Sequence, residues 1–172
     1  MSATANLAKG ALTSGVLAVE RMLLRSPAFR RRVGGEEEGD HAAAARKIFL
    51  FYMRDDPELV RDLRPFAVVA PGDALDLETF AGGQRNFWRR RGGQVVLYLT
   101  DRERVSDPRI DGREAGIDFC AWSDAVLGDL EQMTGTDAPI ATVTLLQKPT
   151  RIHPKDAPAA GTFWDVAWLL EW

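Results

Sequence analysis

Cysteine and histidine are almost missing from this chain of 172 residues: Cys120 stands alone, and only His41 and His153 carry an imidazole. A single cysteine cannot close a disulfide within the chain, so a reducing compartment is expected, the cytoplasm of the cell that makes it. Cys120 lies among Phe119, Ala121 and Trp122. It reads as a small buried hydrophobe, because a reactive thiolate needs an electropositive, accessible setting. His41 follows Asp40 at a helix start, and His153 lies between Ile152 and Pro154. One cysteine and two distant histidines do not make the closely spaced ligand set of a structural zinc site. No metal and no cofactor is expected. The motifs GxSxG, HExxH, GxxxxGKS/T and GxGxxG are absent, and Ser123 has no histidine near it in sequence. These absences argue against an enzyme.

Long apolar runs are also lacking. No stretch reaches the ~18 consecutive apolar residues of a membrane helix. The run from Gly10 to Leu24 is interrupted by Thr13, Ser14, Glu20 and Arg21 and lacks a secretory pattern. No membrane partner is expected. Charge of one sign is scarce as well. The net charge of −3 does not suit a surface built throughout for nucleic acid, though it leaves room for a local basic patch.

What is present is an ordinary globular composition, 45% hydrophobic and 27% charged. A chain of this length suits one domain. The expected organisation is an N-terminal helix with a flexible charged joint over 1–40, then a single α+β domain over 41–172. Leu12, Val16, Val19 and Leu23 recur at helical spacing and predict a helix over Leu7–Leu24. Ser26-Pro27 ends or restarts it. Arg30-Arg31-Arg32, Gly34-Gly35 and Glu36–Glu38 read as a solvated loop. Ala42–Ala45 with Ile48, Phe49 and Tyr52 predict a second helix over His41–Met53.

The period then changes. Arg64–Ala70 reads as a strand, Pro71-Gly72-Asp73 as a turn, and Leu75 with Leu77 as part of a half-solvated strand. Gln94–Thr100 is the cleanest buried strand, and Asp101–Arg113 reads as a polar loop. Phe119, Trp122, Val126, Leu130 and Met133 line one face of a helix over Ile117–Met133, with Gly135 at its C-terminal cap. Ala141–Gln147 predicts a strand, followed by a loop holding Pro149, Pro154 and Pro158. Trp164, Val166, Trp168, Leu170 and Trp172 share one face of a last strand over Thr162–Trp172. The order of elements implies a mainly antiparallel sheet with the 117–133 helix packed across it.

Two features point to contacts with partners. Phe87-Trp88-Arg89-Arg90-Arg91 lies between Gly82-Gly83 and Gly92-Gly93 and reads as a mobile loop. Three readings stay open for it: a hairpin arm with its arginines in water, a contact with a partner protein, or a contact with nucleic acid. Trp172 ends an apolar strand at the extreme terminus, where a sheet edge would be free to pair with another subunit.

Ser26-Pro27-Ala28-Phe29, Val33-Gly34, Ala44-Ala45-Arg46-Lys47-Ile48 and Arg64-Pro65-Phe66-Ala67-Val68 come in that order. They are followed by Gly92–Leu99, by Phe119 in a helix ending near Gly135, by Pro149-Thr150-Arg151 and by Phe163–Trp168. Over about residues 20–172 this resembles the tail-completion (tail-terminator) proteins of tailed bacteriophages and prophages. The resemblance implies an α+β virion subunit that forms a ring, typically of six, on the end of the tail tube. Such a ring stops tube growth and meets the head connector, with DNA only passing through its lumen. It supplies no catalytic residues. The acidic joint at Glu36–Asp40 and the N-terminal helix depart from the family pattern. They keep two alternatives in view, another neck or minor tail protein and a small nucleic-acid-binding module using residues 87–91.

Overall fold

The computed structural model describes residues 11–34, 41–51, 62–82, 85–103, 113–133, 140–153, 155 and 161–171, with the side chains of all but 11–14, 73–82 and 85–92. The fold is α+β. Helices α1 (Ala11–Arg25), α2 (Pro27–Val33) and α3 (His41–Ala45) precede strands β1 (Ile48–Leu50), β2 (Phe66–Gly82) and β3 (Arg85–Arg102). Helix α4 (Arg113–Gln132) and strands β4 (Thr142–Ile152) and β5 (Phe163–Glu171) complete it. The sheet runs β1-β2-β3-β5-β4. Among the described strands only the β1–β2 pair is parallel.

Ser26 and Pro27 do restart the helix. The Ser26 side chain caps α2 by accepting the Phe29 N–H at 3.1 Å, and Pro27 occupies the first turn, where its missing N–H is not needed. Asp129 on α4 secures the same end, accepting the Ser26 hydroxyl at 2.6 Å and the Ala28 N–H at 2.9 Å. Arg30–Val33 is therefore helix, not solvated loop. Gly34 closes it at φ 92°, a left-handed position that glycine adopts without steric cost. Arg32 is tied down, reaching Asp101 of β3 at 2.7 Å and Asp118 of α4 at 2.5 Å.

The expected helix over His41–Met53 stops at Ala45. Helix propensity is a weak prior; here Ile48, Phe49 and Leu50 pair alongside Ala67, Val68 and Val69 instead. The Ala67 N–H reaches the Lys47 carbonyl at 2.9 Å, and the Phe51 N–H the Val69 carbonyl at 2.8 Å. Pro71-Gly72-Asp73 does not reverse the chain either. The strand continues through it, with register shifts between Pro71 and Leu75 and between Asp76 and Leu77. A Cβ on Gly72 would lie 2.5 Å from the Gln94 Cβ, so glycine is what lets β2 and β3 approach there.

Helix α4 starts four residues earlier than its apolar spacing suggests, and Phe119, Trp122, Val126 and Leu130 are buried as that spacing requires. Gly135 lies outside the described residues. Pro149, expected in a loop, sits inside β4 between the register shifts that separate Leu145, Gln147 and Thr150. An outer strand tolerates this, because one side of its backbone need not donate. Strand β5 is not an edge. It pairs with β3 on one side and β4 on the other, so β1 and β4 are the outer strands. Trp172 lies outside the described residues.

One apolar cluster joins Val16, Val19 and Leu23 of α1 and Phe29 of α2 to Val69, Leu97 and Leu99 of the sheet and to Trp122 and Val126 of α4. The helices thus cover one face of the sheet. Val95, Leu97 and Leu99 lie opposite Leu170, Trp168 and Val166, on the face that α4 covers.

Candidate assembly surface

Strands β2 and β3 are far longer than the sheet they belong to. Strand β5 accompanies β3 only from Gln94 onward. Beyond that point eight registered pairs, from Leu75–Gly93 to Gly82–Arg85, continue as a two-stranded ribbon among the described residues. At ~3.3 Å per residue the ribbon extends the strands by roughly 25 Å. All five residues singled out between the glycine pairs fall on it. Phe87, Trp88, Arg89, Arg90 and Arg91 are in β3, so the segment is strand and not loop. Register sets Phe87 opposite Phe80, Trp88 opposite Thr79, Arg89 opposite Glu78 and Arg90 opposite Leu77. The hydrophobic sheet explains this: once Val95–Leu99 are fixed between β2 and β5, antiparallel pairing propagates outward through the glycines.

A groove of about 470 Å³ lies on the helix-covered side of the sheet. It is lined by Ile117, Cys120, Ala121 and Asp124 of α4 with Pro149 and Trp164 of the strands. Ile117 is 59% exposed; Asp124 and Arg113 are the charged residues of the lining, whereas Asp118 meets Arg32 in a separate pocket. Cys120 is half-buried and lines this groove; it is not a core residue. Burial, and then the neighbouring Asp124, push its thiol pKa upward, which disfavours the thiolate. Next to the groove, the outer strand β4 leaves Leu145 and Leu146 44% and 51% exposed.

The opposite face of the sheet holds a buried polar group. Arg64 donates to the Thr100 hydroxyl at 3.1 Å and stacks with its Cζ 3.4 Å above the Phe163 ring centroid. Asp165 accepts from Thr100 and Tyr98. Burial raises the Asp165 pKa, and the two hydrogen bonds and Arg64 oppose that rise. Burial, then the Asp165 charge, raises that of Tyr98. Two atoms of the group, Arg64 Nη1 and Asp165 Oδ1, are buried without a hydrogen-bond partner among the described residues.

His41 contacts the Leu24 carbonyl at 3.1 Å and His153 the Thr162 hydroxyl at 2.8 Å. Among the described residues no group of three or more His, Cys, Asp or Glu is arranged to hold a metal ion. No described helix is long and apolar enough to cross a membrane.

Ile117, Cys120, Leu145 and Leu146 were not singled out from the sequence as surface residues, yet signals for two of the positions exist. Ile117 stands off the Phe119–Trp122–Val126–Leu130 stripe, and adjacent Leu145 and Leu146 cannot both face a core in an alternating strand. No family model matches the chain, and no curated protein is similar to it.

Proposed function

We propose that the chain is a structural subunit of a phage tail or neck, similar to tail-terminator proteins, which assembles into a ring of six on the tail tube and is not an enzyme. The observation that carries this is the β2–β3 ribbon. A two-stranded ribbon is at best marginally stable in water by itself, so one that leaves its sheet for eight residue pairs is suited to be completed by a partner surface. The exposed leucines of β4 and the groove beside α4 supply further apolar area for contacts between subunits. In this role the ring blocks addition of further tube subunits, meets the head connector on its other side, and lets DNA pass through its lumen.

The test is the mass of the purified chain, by light scattering and sedimentation, alone at high concentration and with tail tube. A ring-sized species, or tubes capped and no longer growing, is the expected result. A chain that stays monomeric in both conditions overturns the proposal. Four arginines on one ribbon strand, Arg85 and Arg89–Arg91, support a second reading, a nucleic-acid contact, which a titration with short DNA separates from the first.

A further inference from the structure

We infer that the β2–β3 ribbon swings as one stiff arm about a joint at its base, formed by Pro71–Leu77 of β2 and Arg90–Gln94 of β3. The arm changes its angle to the sheet while its own strand pairing stays intact. The joint needs no partner, so this is independent of the assembly role proposed above.

Register is the first support. Pairing is regular on both sides of the joint, from Phe66–Thr100 to Pro71–Val95 in the sheet and from Leu77–Arg90 to Gly82–Arg85 in the arm. Between them it slips twice, in opposite directions. From Pro71 to Leu75 strand β2 advances four residues while β3 spans two, from Val95 to Gly93. Arg91 is then the extra residue on β3, where Asp76 and Leu77 face Gly92 and Arg90. An extra residue interrupts the ladder and bends its strand. The two interruptions are separated only by the pairs Leu75–Gly93 and Asp76–Gly92, which leaves little ladder to resist bending.

Lateral support is the second. In the sheet each strand has a further neighbour, β1 beside β2 and β5 beside β3. Among the described residues β1 reaches along β2 only to Val69, and β5 reaches along β3 only to Gln94. Both neighbours thus end where the register slips. Within the sheet, bending would break their hydrogen bonds; at the joint it does not.

Composition is the third. Pro71 has no N–H to give to a ladder. Gly92 and Gly93 bring no side chain to the pairs with Asp76 and Leu75. The strands nevertheless stay in contact, since a Cβ on Gly72 would lie 2.5 Å from the Gln94 Cβ. The joint therefore bends without parting. The arm beyond it has six consecutive registered pairs and no slip.

Residual dipolar couplings of the backbone amides test this, in the isotope-labelled full-length chain kept dilute and unassembled. One alignment tensor should fit the amides of Ala67–Ala70, Val95–Thr100 and Val166–Leu170. Couplings over Leu77–Gly82 and Arg85–Arg90 should be scaled by one common factor, to roughly 0.7 or less of the sheet values, the ratio between a flexible and a rigid backbone. Deleting Gly72, Asp73 and Arg91 together removes both slips and should bring the arm couplings up to those of the sheet. The sheet amides report whether that variant folds, and the wild-type couplings decide alone if it does not. Wild-type arm couplings that fit the sheet tensor at full size mean a fixed extension and overturn the inference. Couplings that decline residue by residue toward Gly82 and Arg85 mean fraying and overturn it too. So does a folded deletion variant whose arm couplings stay reduced.

Discussion

Gly116 of α4 lies so close to Trp164 of β5 that a Cβ built on it would sit 2.8 Å from the indole Cη2. The indole is stacked on Phe119 with ring centroids 6.2 Å apart, so shifting it away from α4 disturbs that pair. Gly128, twelve residues along the same helix, has nothing within 4 Å of the equivalent point. Alanine improves helix propensity at both positions by about 1 kcal/mol. At Gly128 that gain should appear nearly whole. At Gly116 overpacking against the ring, typically about 1–3 kcal/mol, should outweigh it. Urea denaturation should therefore find Gly128→Ala more stable than the wild type and Gly116→Ala less stable. Equal shifts of the same sign would mean that α4 does not rest on β5 as described.

Trp122 anchors α4 to the rest of the core. It is 6% exposed, stacks with Phe29 at 6.5 Å, meets Phe119 edge-on at 5.8 Å, and has the Arg32 guanidinium 5.5 Å from its ring. The same cluster contains Val95, Leu97 and Leu99 of β3. Trp122→Ala removes this packing and leaves a cavity, so a loss of about 3–5 kcal/mol is expected. A loss below about 1 kcal/mol in chemical denaturation would contradict the placement of the helix.

Asp165 gives the fold a pH dependence with a definite sign. Burial holds its carboxyl above the ordinary value of 3.8, against the pull of Thr100, Tyr98 and Arg64. The folded chain thus binds this proton more tightly than the unfolded chain does. The group's favourable contribution is complete below pH 3.8 and is lost as pH rises through the raised folded value. Asp165→Asn cannot ionise. The stability of the wild type relative to this variant should fall as pH rises above 3.8 and then level off. Denaturation curves for both proteins from about pH 3 to pH 8 measure it. A relative stability that rises with pH would show that the Arg64 charge, not burial, governs the carboxyl.

The core was legible from period alone; pairing was not. The stripe Phe119–Trp122–Val126–Leu130 and the run Gln94–Thr100 announce their elements because every residue on them obeys one spacing. Ile48-Phe49-Leu50 follows four alanines and reads locally as more helix; only its partners Ala67–Val69, far along the chain, make it a strand. The terminal strand is apolar enough for either a centre or an edge, and β4 decides by covering it. Gly82–Gly93 looks like a loop because glycine and charge punctuate it, whereas the register inherited from Val95–Leu99 extends through it. The groove at Ile117 and Pro149 joins residues from separate elements, so no single stretch of sequence displays it.

The ribbon arginines should matter to assembly far more than to folding. Arg89 stands opposite Glu78, and Arg90 opposite Leu77. A cross-strand charge pair contributes about 0.2–1 kcal/mol, and 1 kcal/mol moves the melting temperature of a domain this size by roughly 2–4 °C. Changing Arg89, Arg90 and Arg91 together to alanine should thus lower the melting temperature by no more than a few degrees. Assembly is different, because all three guanidinium groups keep their charge at any working pH and form planar contacts with carboxylates. If each contributes about 0.2–1 kcal/mol at the rim of an interface, the triple variant should associate roughly three- to hundredfold more weakly. Raising the salt should weaken the wild type toward the variant while changing the variant little, since screening removes only what charge supplies. Light scattering over a salt series reads both effects. Binding to DNA makes the opposite demand: the wild type should hold short duplexes at low salt with steep salt dependence, and the triple variant should not. Tight DNA binding together with assembly untouched by the substitutions would assign the ribbon to nucleic acid and not to a neighbouring subunit.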